Sequence, residues 1–316
     1  MPSRIFEDEQ GIRVEGRHYP VLGDVIILSE PGEYSPGVRR TMATSGERSE
    51  RPDFSRDIQY SFGEEWKEYP RLLPEHGKEF SAYFDLVDRK SLLGARVCDL
   101  GCGIGRWSHF LQNDCRELLL VDFSDAVFVA RRNLADCRHA LFFMGDLRRL
   151  PFRRDFCDFL FCLGVLHHLP VSALEEVRAL SRYAPRLLVF LYYNLDNRPP
   201  HYRWLLRGVT LARSFLSRIR SKWFRRAFAW GGTFLIYKPL VWTGAVLDVV
   251  GWGRFVPLYE FYRDKSVRRI AQDVYDRFFT RIEQRVTRED IQGLRDTFSA
   301  VEIPPRLPYW HFLCRR

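Results

Sequence analysis

Along residues 96–192, short apolar runs alternate with stretches whose apolar residues recur at helical spacing. The runs at 117–121, 139–143, 156–163 and 186–192 are mostly apolar, the pattern of strands buried on both faces. Between them, 124–135 and 174–183 read as helices. Strands separated by such helices need right-handed crossovers, which predicts an α/β fold with a parallel sheet covered on both faces. The tail has a different grammar. Thr287 with Asp290 three residues later marks a capped helix start, and 298–303 and 310–314 form a strand pair across a proline-broken turn.

The stretch at 96–108, RVCDLGCGIGRWS, joins the first of these strands to a tight turn and a helix start. Gly101 and Gly103 let the backbone approach a ligand closely, and Gly105 lets the helix begin near the strand. Asp99 stands two places before the first glycine, where it would repel a phosphate, so it calls for a cationic or hydroxyl-rich partner. S-adenosylmethionine (SAM), with an ammonium group and no phosphate, meets that requirement. Asp122 lies 21 residues beyond Gly101 at the end of the second strand and can accept from ribose hydroxyls. On Asp122 alone a dinucleotide dehydrogenase is an alternative; Asp99 and the GCGIG spelling weigh against it.

This stretch resembles motif I of the class I SAM-dependent methyltransferases. The resemblance covers about 95–192 and 265–316 and implies a Rossmann-like seven-stranded sheet with an antiparallel C-terminal hairpin. It also implies SAM contacts at Asp99, Gly101, Gly103, Gly105 and Asp122. Asp146 is expected at the adenine amino group, Leu147 or Phe123 against the ring, and Gly164 in the loop after the fourth strand. That loop continues Val165-Leu166-His167-His168, where the family carries a histidine. A histidine titrates near neutrality and can deprotonate an oxygen or nitrogen acceptor, so His168, then His167, are the expected bases, with Tyr192 beside them. Tyr193, Asn194, Tyr259 and Tyr262 are the expected substrate residues. The family's Asn/Asp-Pro-Pro-Tyr/Phe phrase of amino-methylating members is absent, which favours oxygen.

Residues 195–264 interrupt the resemblance. From 201 to 226 there are eight Arg or Lys and no acid, on a helical pattern expected to be amphipathic and broken near 217–221. Arg203, Arg207, Arg218, Lys222 and Arg225 are expected on one side. Leu205, Val209, Ala212, Phe215, Leu216, Ile219 and Trp223 are expected largely on the other. Residues 227–257 are apolar and interrupted at Lys238-Pro239, which reads as helix, turn and helix rather than a membrane span. The insertion is expected to be a lid over the acceptor or a peripheral membrane contact. Nucleic acid fits worst, because no RNA-binding module is recognisable.

The resulting division is an extension and linker at 1–57, a SAM-binding core with a helical cap at 58–194, the insertion at 195–264 and the rest of the core at 265–316. Phe62 and Trp66 belong to the cap. An N-terminal phrase at 25–28 reads as a short strand; in some relatives a similar phrase ends a zinc ribbon, but no cysteine precedes Cys98, so no metal is expected. With 46% hydrophobic and 28% charged residues, the composition is globular. Seven scattered cysteines indicate a reducing compartment, and the first 50 residues show no signal or transit pattern. The expected location is cytoplasmic, with peripheral contact on the inner membrane face. The expected function is methyl transfer from SAM to a small, apolar or lipid-like acceptor. An RNA or protein methyltransferase and a non-catalytic scaffold of the same fold are the alternatives.

Overall fold

A computed structural model describes residues 5–8, 11–14, 16–42, 69–219, 221–306 and 310–316. Phe62 and Trp66 lie outside these. The strands are β1 (Ile5–Asp8), β2 (Gly11–Val14), β3 (Arg17–Leu22), β4 (Val25–Ile27), β5 (Arg96–Leu100), β6 (Glu117–Asp122), β7 (Ala140–Met144), β8 (Phe159–Leu163), β9 (Arg186–Phe190), β10 (Ala300–Glu302) and β11 (His311–Arg315). They form one sheet in the order β1-β2-β3-β4-β7-β6-β5-β8-β9-β11-β10.

The seven strands from β7 to β10 are the expected core. Its five central strands are parallel, and β11 enters antiparallel between β9 and β10. The parallel strands are buried on both faces and alternate between two cores. Val97, Leu118 and Leu120 face one, while Cys98, Leu100, Leu119 and Val121 face the other. The sheet is longer than expected. The strand read at 25–28 pairs parallel with β7, and β1–β3 continue from it as an antiparallel meander. Once β4 lies on the β7 edge, its neighbours follow by hairpin turns, so the N-terminal segment covers an edge that would otherwise be open.

The helices are α1 (Pro36–Thr41), α2 (His76–Tyr83), α3 (Ser108–Leu111), α4 (Ala126–Asn133), α5 (Ala173–Leu180), α6 (Pro200–Leu216), α7 (Lys222–Gly232), α8 (Lys238–Asp248), α9 (Tyr259–Tyr262), α10 (Val267–Phe279) and α11 (Arg288–Gln292). The capping box read from Thr287 and Asp290 starts α11. α6 ends at Ser217 and α7 is capped by the Ser221 hydroxyl, which places the break inside 217–221.

Two expectations about the insertion are corrected. No turn occurs at Lys238-Pro239: α7 and α8 run on through a π-helical segment, Thr233–Tyr237, with Pro239 in the first turn of α8. The wider π turn absorbs a proline that would clash with the preceding carbonyls of a regular helix. The basic and apolar sides are not separated either. Arg213 and Arg225 are buried, whereas Leu205, Phe215 and Trp223 are exposed. Helix α10, expected with the core, packs with the insertion: Ile270, Val274, Tyr275 and Phe279 share a cluster with Ala229, Tyr237, Val241, Tyr259 and Tyr262.

Candidate active site

A cavity of about 500 Å³ lies between the carboxyl ends of the central strands and this helical lobe. The size is that of a small-molecule site, at the place where open α/β sheets bind ligands. From the core, its wall includes Gly101, Gly103, Arg106, Asp122, Phe123, Asp146, Leu147, Gly164, His168, Tyr192 and Tyr193. From the lobe come Leu206, Val209, Tyr237, Leu240, Phe261, Tyr262 and Arg277.

The glycine turn is fixed by its hydrogen bonds. The amides of Gly101 and Cys102 donate to the Val121 carbonyl at 2.8 and 3.0 Å, and the Gly103 amide donates to Asp122 Oδ2 at 2.8 Å. Asp122 Oδ1 accepts from the amide and hydroxyl of Ser124 at 2.8 and 2.7 Å. Asp122 therefore both ties the turn to β6 and faces the cavity. Burial pushes its carboxyl up, against the hydrogen bonds from Ser124 and Gly103. Gly101 has φ of +80°. A Cβ there would meet Val165 on the neighbouring loop, so the close approach made possible by this glycine is to Val165. Gly105 does not line the cavity: a Cβ would sit 2.5 Å from Leu134 Cδ1, and its role is to let the turn pack on α4.

Asp99 does not line the cavity either. It is 1% exposed, and its Oδ2 accepts from the Ser108 hydroxyl at 2.6 Å. Its hydroxyl partner thus comes from the helix behind the turn. Burial pushes its carboxyl up to about 7, with Asp122 adding to the effect and the Ser108 bond opposing it. Asp146 faces the cavity but is held by Arg148, with Nη2 2.6 Å from Oδ2 and the Arg148 amide 3.0 Å from Oδ1.

The two histidines separate clearly. His168 faces the cavity, and its Nδ1 lies 2.8 Å from the Ile282 carbonyl. A carbonyl only accepts, so Nδ1 carries the hydrogen and Nε2 the lone pair of the neutral ring. His167 is fully buried, lies outside the cavity wall and stacks on Tyr192 at 3.9 Å between centroids. Neither of its ring nitrogens has a hydrogen-bond partner, and burial, then His168 and Arg285, holds it neutral well below the usual histidine value. His167 is thus a packing residue, not a base. Tyr192 lines the cavity and donates to Asp276 Oδ2 at 3.1 Å. Burial keeps its phenol protonated, which suits a donor and not a base.

Of the expected substrate residues, Tyr193 and Tyr262 face the cavity. Asn194 does not; its amide bonds to the Val286 carbonyl at 2.9 Å. Tyr259 does not either. Its hydroxyl donates to Asp248 at 3.0 Å and its ring fills the space above Gly244 and Gly253, locking α8 to α9. Among the described residues Arg106, Arg148, Arg198, Arg269, Arg277 and Arg285 line the cavity, and none was expected there from sequence. Arg106 follows the third glycine directly, and that adjacency was readable. Arg277 carried no sequence signal, because it reaches the cavity only through the packing of α10.

The wall fits SAM at the core end. Carboxylates of Asp122 and Asp146 suit hydroxyl and amino donors, Phe123 and Leu147 offer apolar surface to a ring, and Arg106 supplies a cation for a carboxylate.

A family model described as "Methyltransferase domain" matches residues 97–184. No curated protein sequence matches the chain. Among solved structures, phosphoethanolamine N-methyltransferase 1 of Haemonchus contortus is similar at 18% identity and TM-score 0.38, over 43% of this chain and 32% of that one. The YcgJ protein of Bacillus subtilis is similar at 23% identity and TM-score 0.35, over 42% and 59%. Magnesium protoporphyrin IX methyltransferase of Synechocystis PCC 6803 is similar at 17% identity and TM-score 0.43, over 83% and 98%. The chain thus spans less than two thirds of the first two. Residues 97–184 thus match a methyltransferase domain, and the glycine turn and the strand order agree with that match.

Proposed function

We propose that the chain methylates a hydroxyl oxygen of a small, largely apolar acceptor, using SAM. One observation carries this reading: a single cavity joins the glycine turn to an apolar wall supplied by the helical lobe. SAM supplies an electrophilic methyl group on its sulfonium. The protein's task is to align an acceptor lone pair with that methyl and to exclude water. Gly101, Gly103, Asp122, Phe123, Asp146, Leu147 and Gly164 hold the cofactor end, with Asp99 bracing the turn from behind. His168, oriented through Nδ1, takes the acceptor proton at Nε2. Tyr192, fixed by Asp276, and Tyr193 position the acceptor, while Leu206, Val209 and Leu240 cover its apolar body. Incubating the purified protein with methyl-labelled SAM and fractionated host extract should place label in the small-molecule or lipid fraction. Label confined to RNA or protein would overturn the acceptor class, and SAM binding without any product would make the chain a scaffold.

We also infer that the lobe's outer face rests on an anionic membrane surface. Trp204, Trp223, Trp242 and Trp252 are 74, 77, 63 and 63% exposed, and Phe215, Leu235, Val246 and Val249 stand beside them in sequence or along the same helices. Residues 195–264 hold twelve Arg or Lys against four acids, a net charge of +8 out of +9 for the chain. Exposed tryptophans among cations suit the lipid interface. No helix of the described residues is long and apolar enough to cross a membrane. The chain should sediment with vesicles of phosphatidylglycerol and phosphatidylcholine, less with phosphatidylcholine alone. Replacing Trp204, Trp223, Trp242 and Trp252 by Ser should weaken sedimentation about tenfold or more. Equal sedimentation of wild type and variant would remove the lobe from the membrane.

A further inference from the structure

We propose that the acceptor carries an acid group, a carboxylate or phosphate, which seats on Arg277 with help from the Tyr262 hydroxyl. The proposal rests on reading the lobe end of the cavity as the acceptor's place. Three other arginines in that part of the wall already have carboxylate partners. Arg198 pairs with Glu260 at 2.5 Å, Arg285 with Glu283 at 2.6 Å, and Arg269 with Glu79 at 3.1 Å and with Asp273. Glu283 is further claimed by Arg213. Asp276, next to Arg277 in sequence, accepts from Tyr192 and from the Thr280 hydroxyl.

Arg277 differs from these. It faces the cavity, half-buried, and among the described residues no carboxylate lies within ion-pair distance of it. Its charged form is nevertheless kept: burial works against it, and the nearby Glu283 carboxylate favours it. A cation drawn partly out of water and left without an ion partner is a ready site for an anion.

Tyr262 supplies the second observation. It lines the cavity yet is 0% exposed, its ring meets Tyr237 at 5.2 Å, and its buried hydroxyl has no hydrogen-bond partner. A buried hydroxyl left unsatisfied is unfavourable, and an anionic oxygen at Arg277 would satisfy it. Burial keeps this phenol protonated, so it is available to donate. With Leu206, Val209 and Leu240 on the same wall, the site suits an amphiphile: an acid at one end, an apolar body, and the reacting hydroxyl toward His168. The cofactor's own carboxylate does not need Arg277, because Arg106 stands at the glycine turn.

Calorimetric titration of the full chain, saturated with S-adenosylhomocysteine, with octanoate, octyl phosphate and 1-octanol tests this. Wild type should bind at least one of the two acids about tenfold or more tightly than the alcohol, and which acid wins identifies the group. Arg277→Gln should erase the preference while leaving octanol and SAM affinities within about twofold. Tyr262→Phe, which keeps the packing, should weaken the acid about threefold to tenfold and also serves if Arg277→Gln does not fold. Equal affinity for all three probes overturns the proposal. So does a loss of SAM affinity in Arg277→Gln that matches the loss of acid affinity, since Arg277 would then belong to the cofactor. Failure of wild type to bind SAM would count against the methyltransferase reading, whereas the acid preference is read from the three probes alone.

Discussion

Gly101→Ala is expected to weaken SAM binding about thirtyfold or more. At φ of +80°, the new Cβ costs about 1–2 kcal/mol in backbone strain. It would also press on Val165 and force the loop after β8 to move, which costs about 1–3 kcal/mol more. Most of that should fall on the bound state, because the turn held by Val121 and Asp122 forms the wall against which the cofactor lies. A combined loss of about 2–5 kcal/mol corresponds to a dissociation constant raised at least about thirtyfold. Adding Val165→Ala should restore the steric part and leave the backbone part. Calorimetry with SAM on the single and double variants reads both. Wild-type affinity in Gly101→Ala would mean that the turn does not face the cofactor, and no gain in the double variant would mean that Val165 is not the obstacle.

Asp99→Asn should change the pH dependence of stability between pH 4 and pH 7. The Asp99 carboxyl is held up to about 7, against an ordinary value of 3.8, chiefly by burial. Between those values the folded chain keeps a proton that the unfolded chain has released. Stability from this group is therefore complete below about pH 4, declines as pH rises, and is gone above about pH 7. The total is a few kcal/mol at most, at about 1.4 kcal/mol per pH unit. Asparagine keeps an acceptor for Ser108 and removes the titration. The melting temperature of the variant minus that of wild type should therefore rise steadily from pH 4 to 7 and then level off. His76 acts in the opposite sense. Burial, then Arg106 and Arg269, lowers it to about 3, so its contribution is lost as pH falls from 6.5 toward 3. His76 is present in both proteins and cancels in the difference. A difference that stays flat from pH 4 to 9 would show that Asp99 is ionised in the folded chain throughout.

The sheet was legible because its signals are local. A doubly buried strand must be apolar over consecutive residues, a tight turn with positive φ calls for glycine, and a capping box occupies four adjacent positions; none of these needs a distant partner. The same locality explains the errors at the site. Asp99 and Asp122 are both acids at strand ends, yet Asp99 is enclosed by Ser108 of α3 while Asp122 opens onto the cavity, and strand alternation alone does not reveal which side is covered. His167 and His168 are adjacent in sequence, and only the chain returning through Ile282 and Gln284 orients one toward the cavity and leaves the other beneath Tyr192.

By itself, then, the sequence determined the parallel sheet, the glycine turn, the C-terminal hairpin and the class of cofactor, because each is written in residues close together along the chain. Only the tertiary structure decided that the N-terminal strands extend the sheet, that α7 and α8 are joined, and that Arg277 and Tyr262 both line the cavity. Those features depend on surfaces brought together from distant parts of the chain, and packing, which sets them, leaves no periodic trace in the order of the residues.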